Sequence, residues 1–181
     1  RRLRDLAPEA RRTLRAASIF PHAFWPGAVR AVLGASDGAT DDDIRDWLVL
    51  FSQKDLLTFR ATSGALGQIE FRFRNDLMRE LLYGMLTQAD LLLAHRSAAR
   101  WFARAVPDGK LEAAYHFRLS GDLAEAADLF TEVAAAAHTK RDAKNALPLC
   151  REALALGVPF SRKVECLQVL GHSLVALSEY G

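Results

Sequence analysis

The sequence predicts a mainly α chain that carries one β-hairpin, and three patterns predict it. Apolar residues recur at three- and four-residue steps along most of the 181 positions, as in helices with one buried face. Strict alternation of apolar and charged residues is confined to Ile69–Arg74, the mark of a half-buried strand. The second half also aligns weakly with itself, 121–133 over 141–153, an offset near the length of one helix plus its turn. Apolar residues make up 50% of the chain, enough to bury the core of one ordinary domain or two small ones.

Leu3, Leu6, Ala10, Leu14 and Ala17 define a short amphipathic helix following Pro8, with Arg4, Arg11, Arg12 and Arg15 on its other side. Pro21 and the Trp25-Pro26-Gly27 turn break the pattern, and Ala28, Val29, Val32 and Leu33 make a second helix that Gly34 ends. After the loop GASDGAT, Thr40 is a hydroxyl N-cap followed by Asp41, Asp42 and Asp43, where the helix dipole favours negative charge. The third helix then runs to about Gln53, with Ile44, Trp47, Leu48 and Phe51 as its buried face. Leu56–Arg60 and Gln68–Phe73 read as a β-hairpin around a loop holding Ser63, Gly64 and Gly67.

Everything after Asn75 has a helical pattern. Asn75 or Asp76 caps a helix along which Leu77, Leu81 and Met85 step, with Met78 and Leu82 beside them. Trp47 and Leu81 are the expected core positions, where truncation to Ala costs about 2–5 kcal/mol. Ala89–Ala105 forms the next helix, with Leu92, Ala99 and Phe102 near the core and Pro107-Asp108-Gly109 as its stop. Helices near 111–119, 123–138, 143–156 and 161–178 complete the chain. The self-alignment pairs Asp122 with Asp142, Ala126 with Ala146, Leu129 with Leu149 and Glu132 with Glu152, and such small residues at fixed points let stacked helices approach closely. Pro148 should sit in a first turn or kink its helix.

The net charge of +2, from 24 basic and 22 acidic residues, gives no electrostatic reason to expect nucleic acid or an anionic membrane as partner. No apolar run is long enough to span a bilayer, and the N-terminal residues lack the apolar core of a signal peptide. Cys150 and Cys166 form no CxxC arrangement or disulfide framework, which suits a reducing, cytoplasmic setting. Arginine outnumbers lysine heavily, which with the alanine richness points to a GC-rich bacterial genome. The five histidines, His22, His95, His116, His138 and His172, lack HxxxH or HExxH spacing and read as surface or half-buried helix residues. Asp41–Asp43 read as helix capping rather than a metal site, Ser63 sits beside glycines that a hairpin needs, and neither cysteine has a His motif to activate it. No catalytic, metal or cofactor site is expected in this segment.

Three helices, a two-stranded hairpin and further helix is the order of a winged helix. FRFRNDLMRELLY at 71–83 resembles the strand-to-helix motif F-R-F-R-H-x-L-x-R-E-x-x-Y of the winged-helix segment in STAND-type signalling ATPases, matching at Phe71, Arg72, Phe73, Arg74, Leu77, Arg79, Glu80 and Tyr83. LAPEARRTLRAASIF at 6–20 is similar to the opening of that segment, and 87–181 to the helical repeats that follow it. The resemblance implies a winged-helix domain over 1–86 and a tetratricopeptide-like array over 87–181, interrupted at its C-terminal end because LGHSLVALSEYG resembles the first helix of another repeat.

In that family, which includes LuxR-type transcription regulators and adenylate or guanylate cyclases, the winged helix lies against an ATPase module and the motif histidine approaches the nucleotide phosphates. Asn75 stands at that histidine's place, and an amide hydrogen-bonds to phosphate without becoming cationic. The phosphate-binding GxxxxGK[ST] loop is missing from the chain, so ATP or ADP is expected in an adjacent module. Arg74, Asn75 and Arg79 are the residues expected to face that module. The implied partners are the ATPase module and output domain of the same polypeptide, with a further protein held by the repeats. The competing expectations are a plain tetratricopeptide-like scaffold and a DNA-reading winged helix. DNA reading is disfavoured because the third helix brings Asp41–Asp43 and Asp46 against only Arg45 and Lys54.

Overall fold

A computed structural model describes residues 6–34, 38–60 and 69–178. Arg1, Arg2, Leu3, Arg4, Ser63, Gly64, Gly67, Gln68 and Gly181 lie outside the described residues. The chain is mainly helical, as expected. Among the described residues the elements are α1 Pro8–Ala17, α2 Pro26–Leu33, α3 Asp41–Gln53, β1 Leu57–Arg60, β2 Glu70–Phe73, α4 Asp76–Tyr83, α5 Gln88–Ala105, α6 Lys110–Ser120, α7 Leu123–Thr139, α8 Ala143–Ala155 and α9 Phe160–Ser178. They fall into two compact units, Arg1–Pro107 and Asp108–Gly181. The division comes after α5, whereas the sequence placed it before, between 86 and 87. The reason is aromatic packing: Trp101 and Phe102 of α5 lie 5.7 and 6.2 Å from Trp25, and Phe102 lies 6.0 Å from Phe20.

In the first unit, Pro8 and Pro26 open α1 and α2, positions where a missing N–H costs no intrahelical bond. A Cβ on Gly27 would lie 3.3 Å from Trp101 Nε1, so the bare glycine lets the indole settle against α2. Thr40 caps α3 reciprocally: its Oγ1 accepts from Asp43 N at 3.1 Å, while Asp43 Oδ2 accepts from Thr40 N at 2.9 Å. Ile44, Leu48 and Phe51 are fully buried, but Trp47 is only half-buried.

β1 and β2 pair antiparallel with Leu57 opposite Phe73 and Phe59 opposite Phe71. The segment between α1 and α2 joins them, since Phe24 and Phe71 exchange backbone hydrogen bonds of 2.9 and 2.8 Å. Phe20, Phe24, Phe51 and Phe71 thus form a buried aromatic core.

α4 departs from expectation. Leu77, Leu81 and Met85 are 65%, 59% and 60% exposed, and Leu82 is the buried leucine. The helix carries apolar residues on two sides, so periodicity allowed two inward faces. Arg79 and Tyr83 select the one that brings their polar ends to buried partners, and Leu81 is therefore no core position.

In the second unit α6 packs on α7, α7 on α8, and α9 on both α7 and α8. The turns before α7 and α8 are the same structure. Gly121 and Arg141 both have positive φ, +82° and +57°. Asp122 N donates to Phe117 O, and Asp142 N to Ala137 O, each at 3.0 Å. The sequence self-alignment therefore marks a repeated helix-ending turn. Its aligned small residues, Ala126 and Ala146, are fully buried with Phe130, Cys150 and Cys166. Glu132 and Glu152 both reach α6, pairing with Lys110 and Arg118. Pro148 lies inside α8 on its exposed side.

Candidate functional site

The turn from β2 into α4 holds the residues expected to face a nucleotide module. Asn75 leaves the strand in an extended conformation and its Oδ1 accepts from Leu77 N at 2.8 Å. It is thus the N-cap of α4, with its amide nitrogen still available at an exposed position. Arg74 donates its backbone N–H to Leu56 O at 3.1 Å, while its exposed guanidinium pairs with Asp55 of the α3–β1 turn.

Arg79 behaves differently. Its side chain is only 18% exposed, and Nη1 donates to the carbonyl of Ser18, the C-cap of α1, at 3.2 Å. A cation at that helix end is favourable, so Arg79 ties α4 to α1. The structure therefore places Arg74 and Asn75 together on the surface and turns Arg79 inward.

Beside the turn, Pro21, His22, Arg72, Phe73, Asp76, Arg79 and Glu80 line a cleft of about 420 Å³. Arg72 is held by Glu70, with Nε and Nη2 both 2.9 Å from Oε1. The mixture of two guanidiniums, an imidazole and two carboxylates offers hydrogen bonds to a polar surface but no concentrated anion pocket. The last motif position, Tyr83, was matched without a role. Its hydroxyl lies 3.0 Å from His95 Nε2 on α5, and burial pushes the Tyr83 hydroxyl up and His95 down to about 4.

The other candidate groups also find places. Asp43's carboxyl is held below its usual range by its hydrogen bonds to Thr40, and Asp41 and Asp42 pair with Arg30 and Arg45 at 2.6 and 2.9 Å. Among the described residues no group of three or more His, Cys, Asp or Glu is placed to hold a metal ion. His95 and His116 are buried, 2% and 5% exposed, a correction to the expectation of surface or half-buried residues. Their helices turn those positions inward. His138 and His172 stack with ring centroids 5.3 Å apart.

Cys150 and Cys166, separate in sequence, meet in the core of the second unit. Burial first, then the neighbouring Cys166, pushes the Cys150 thiol up to about 12, so almost no reactive thiolate forms. Thr131 Oγ1 lies 3.3 Å from Cys166 Sγ. Sequence spacing carries no signal for this pairing, which depends on how α8 and α9 cross. Among the described residues no helix is long and apolar enough to cross a membrane. No family model matches the chain, and neither a curated protein nor a solved structure matches it significantly.

Proposed function

We propose that this chain is the regulatory segment of a multidomain STAND-like signalling ATPase, a bacterial transcription regulator or nucleotide cyclase. In this reading the first unit is a winged helix that relays nucleotide state in the cytoplasm, and the second is a tetratricopeptide-like array that holds a protein partner or output domain. The order α1, Phe24 bridge, α2, α3, β1, β2 supports the winged helix. The two matching helix-ending turns support the array.

The observation that carries the reading is the β2–α4 turn. Phe71, Arg79 and Tyr83 anchor it from inside, while Arg74, paired with Asp55, and the Asn75 amide stand exposed, where an adjacent module carrying ATP or ADP would touch them. Nucleotide that binds one arrangement of that contact better than the other shifts the equilibrium, with a coupling of about 1–3 kcal/mol. Arg79 acts here by fixing α4 against α1.

The test uses the whole parent protein. Asn75→Ser keeps a side-chain oxygen to cap α4 and removes the amide donor, and Arg74→Ala removes an exposed cation. Altered nucleotide affinity or output with unchanged melting is expected. Unchanged affinity and output in both variants, or a parent protein without a phosphate-binding loop, favours a scaffold that does not switch. That second reading draws on one feature: Asn75 and Arg79 already have internal partners. DNA reading by α3 is not proposed, because Asp41, Asp42, Asp43 and Asp46 are all exposed on it and repel phosphate.

A further inference from the structure

The apolar stripe of α4 runs on into a groove with a basic rim. From Leu77 through Leu81 to Met85 the exposed side chains follow one another at helical spacing. Met85 and Leu82 then form one wall of a groove of about 450 Å³ whose other wall is α1, with Leu14, Arg11, Arg12 and Arg15. A second groove of about 360 Å³ shares Arg12 and Arg15 and has Val32, Leu33, Leu86 and Leu93 among its lining residues. Leu93 is itself 61% exposed.

α1 is thus an arginine ridge between two apolar troughs. Neither Arg11 nor Arg15 has an ion pair among the described residues. The carboxylates at the rim are Glu9 and Asp90, and Asp90 is engaged by Thr87 in the cap of α5. The surface is therefore apolar along its floor, with three arginines set against two carboxylates along its ridge.

We infer that this face docks an acidic amphipathic helix from a protein partner. Leucine-like side chains spaced three and four apart would fill the two troughs, and glutamates or aspartates flanking that stripe would meet Arg11 and Arg15. Helix-in-groove binding of this kind takes its anchoring from the apolar side chains and its choice of partner from charge. Asn75, the N-cap of α4, lines neither trough, so the inference stands apart from the nucleotide reading.

The probes are two synthetic helical peptides with the same leucine stripe, one flanked by glutamates and one by lysines, titrated into the full chain by fluorescence anisotropy. The acidic peptide is expected to bind about tenfold or more tightly than the basic one, with the gap closing as salt rises. Arg11→Glu combined with Arg15→Glu should reverse the preference, and Met85→Asp should weaken the acidic peptide by about tenfold. Unchanged tryptophan-fluorescence melting of these surface variants secures the comparison. Equal affinity for both peptides, no binding of either at low salt, or retained preference in the arginine double variant overturns the inference. So does self-association that Met85→Asp abolishes, because a second copy would then be the occupant.

Discussion

The two units solve the burial problem with opposite materials. In Arg1–Pro107 the interior is made of rings: Phe20, Phe24, Phe51 and Phe71 are fully buried, and Trp25 and Phe102 nearly so. In Asp108–Gly181 it is made of small side chains, with Ala114, Ala126, Ala146, Ala153, Cys150 and Cys166 around Phe130, the one fully buried ring among the described residues of that unit. Rings suit short elements that meet at varied angles, because one ring covers much area and touches several partners. Alanines suit successive helices that lie close along their length, where each helix buries its neighbour's stripe and the same turn can recur.

Optical probes separate the units, since Trp25, Trp47 and Trp101 all belong to the first. The strongest break is Phe71→Ala, which removes a buried ring stacked on Phe24. It should destabilise the first unit by about 3–5 kcal/mol, read as a lowered midpoint in tryptophan fluorescence.

Acid should act on the same unit. His95 is held neutral, with its pKa lowered from the ordinary 6.5 to about 4. The unfolded chain therefore binds a proton first, and stability present above pH 6.5 declines as pH falls from about 6.5 to 4, by about 2–3 kcal/mol. Denaturant midpoints across that range check it, and His95→Gln should flatten the slope.

In the second unit the sensitive change is enlargement. Ala146→Leu inserts volume where α8 approaches its neighbours and should cost about 2 kcal/mol, seen by circular dichroism with little change in tryptophan signal. The smallest effect sharpens the repeat itself. Arg141 holds positive φ where the equivalent turn has Gly121, so Arg141→Gly should stabilise by about 1 kcal/mol and raise the midpoint slightly. A loss of stability would mean the two turns are not equivalent.

The candidate site was legible in part. Asn75 as a helix cap follows from its chemistry and position, and the cap is seen. Arg79 illustrates the opposite case. On sequence it was one more surface cation of a motif, and its hydrogen bond to Ser18 O spans the sequence from α1 to α4. The apolar stripe of α4 misled for a related reason, since Leu77, Leu81 and Met85 have the spacing of a core face yet stand in the open.

What the sequence by itself determined is local: where helices begin near Pro8 and at Thr40, where alternation makes a strand, and where Asp122 and Asp142 repeat a turn, whereas Trp25-Pro26-Gly27, read as a turn, already opens α2 at Pro26. Those follow from backbone sterics, capping hydrogen bonds and side-chain period, which act over a few residues. Only the tertiary structure decided which side of α4 faces in, that α5 belongs with the first unit, that Cys150 meets Cys166, and that arginines line an open apolar groove. Each depends on which helix faces collect enough buried area and satisfied polar groups at once, a condition set by residues far apart in the chain.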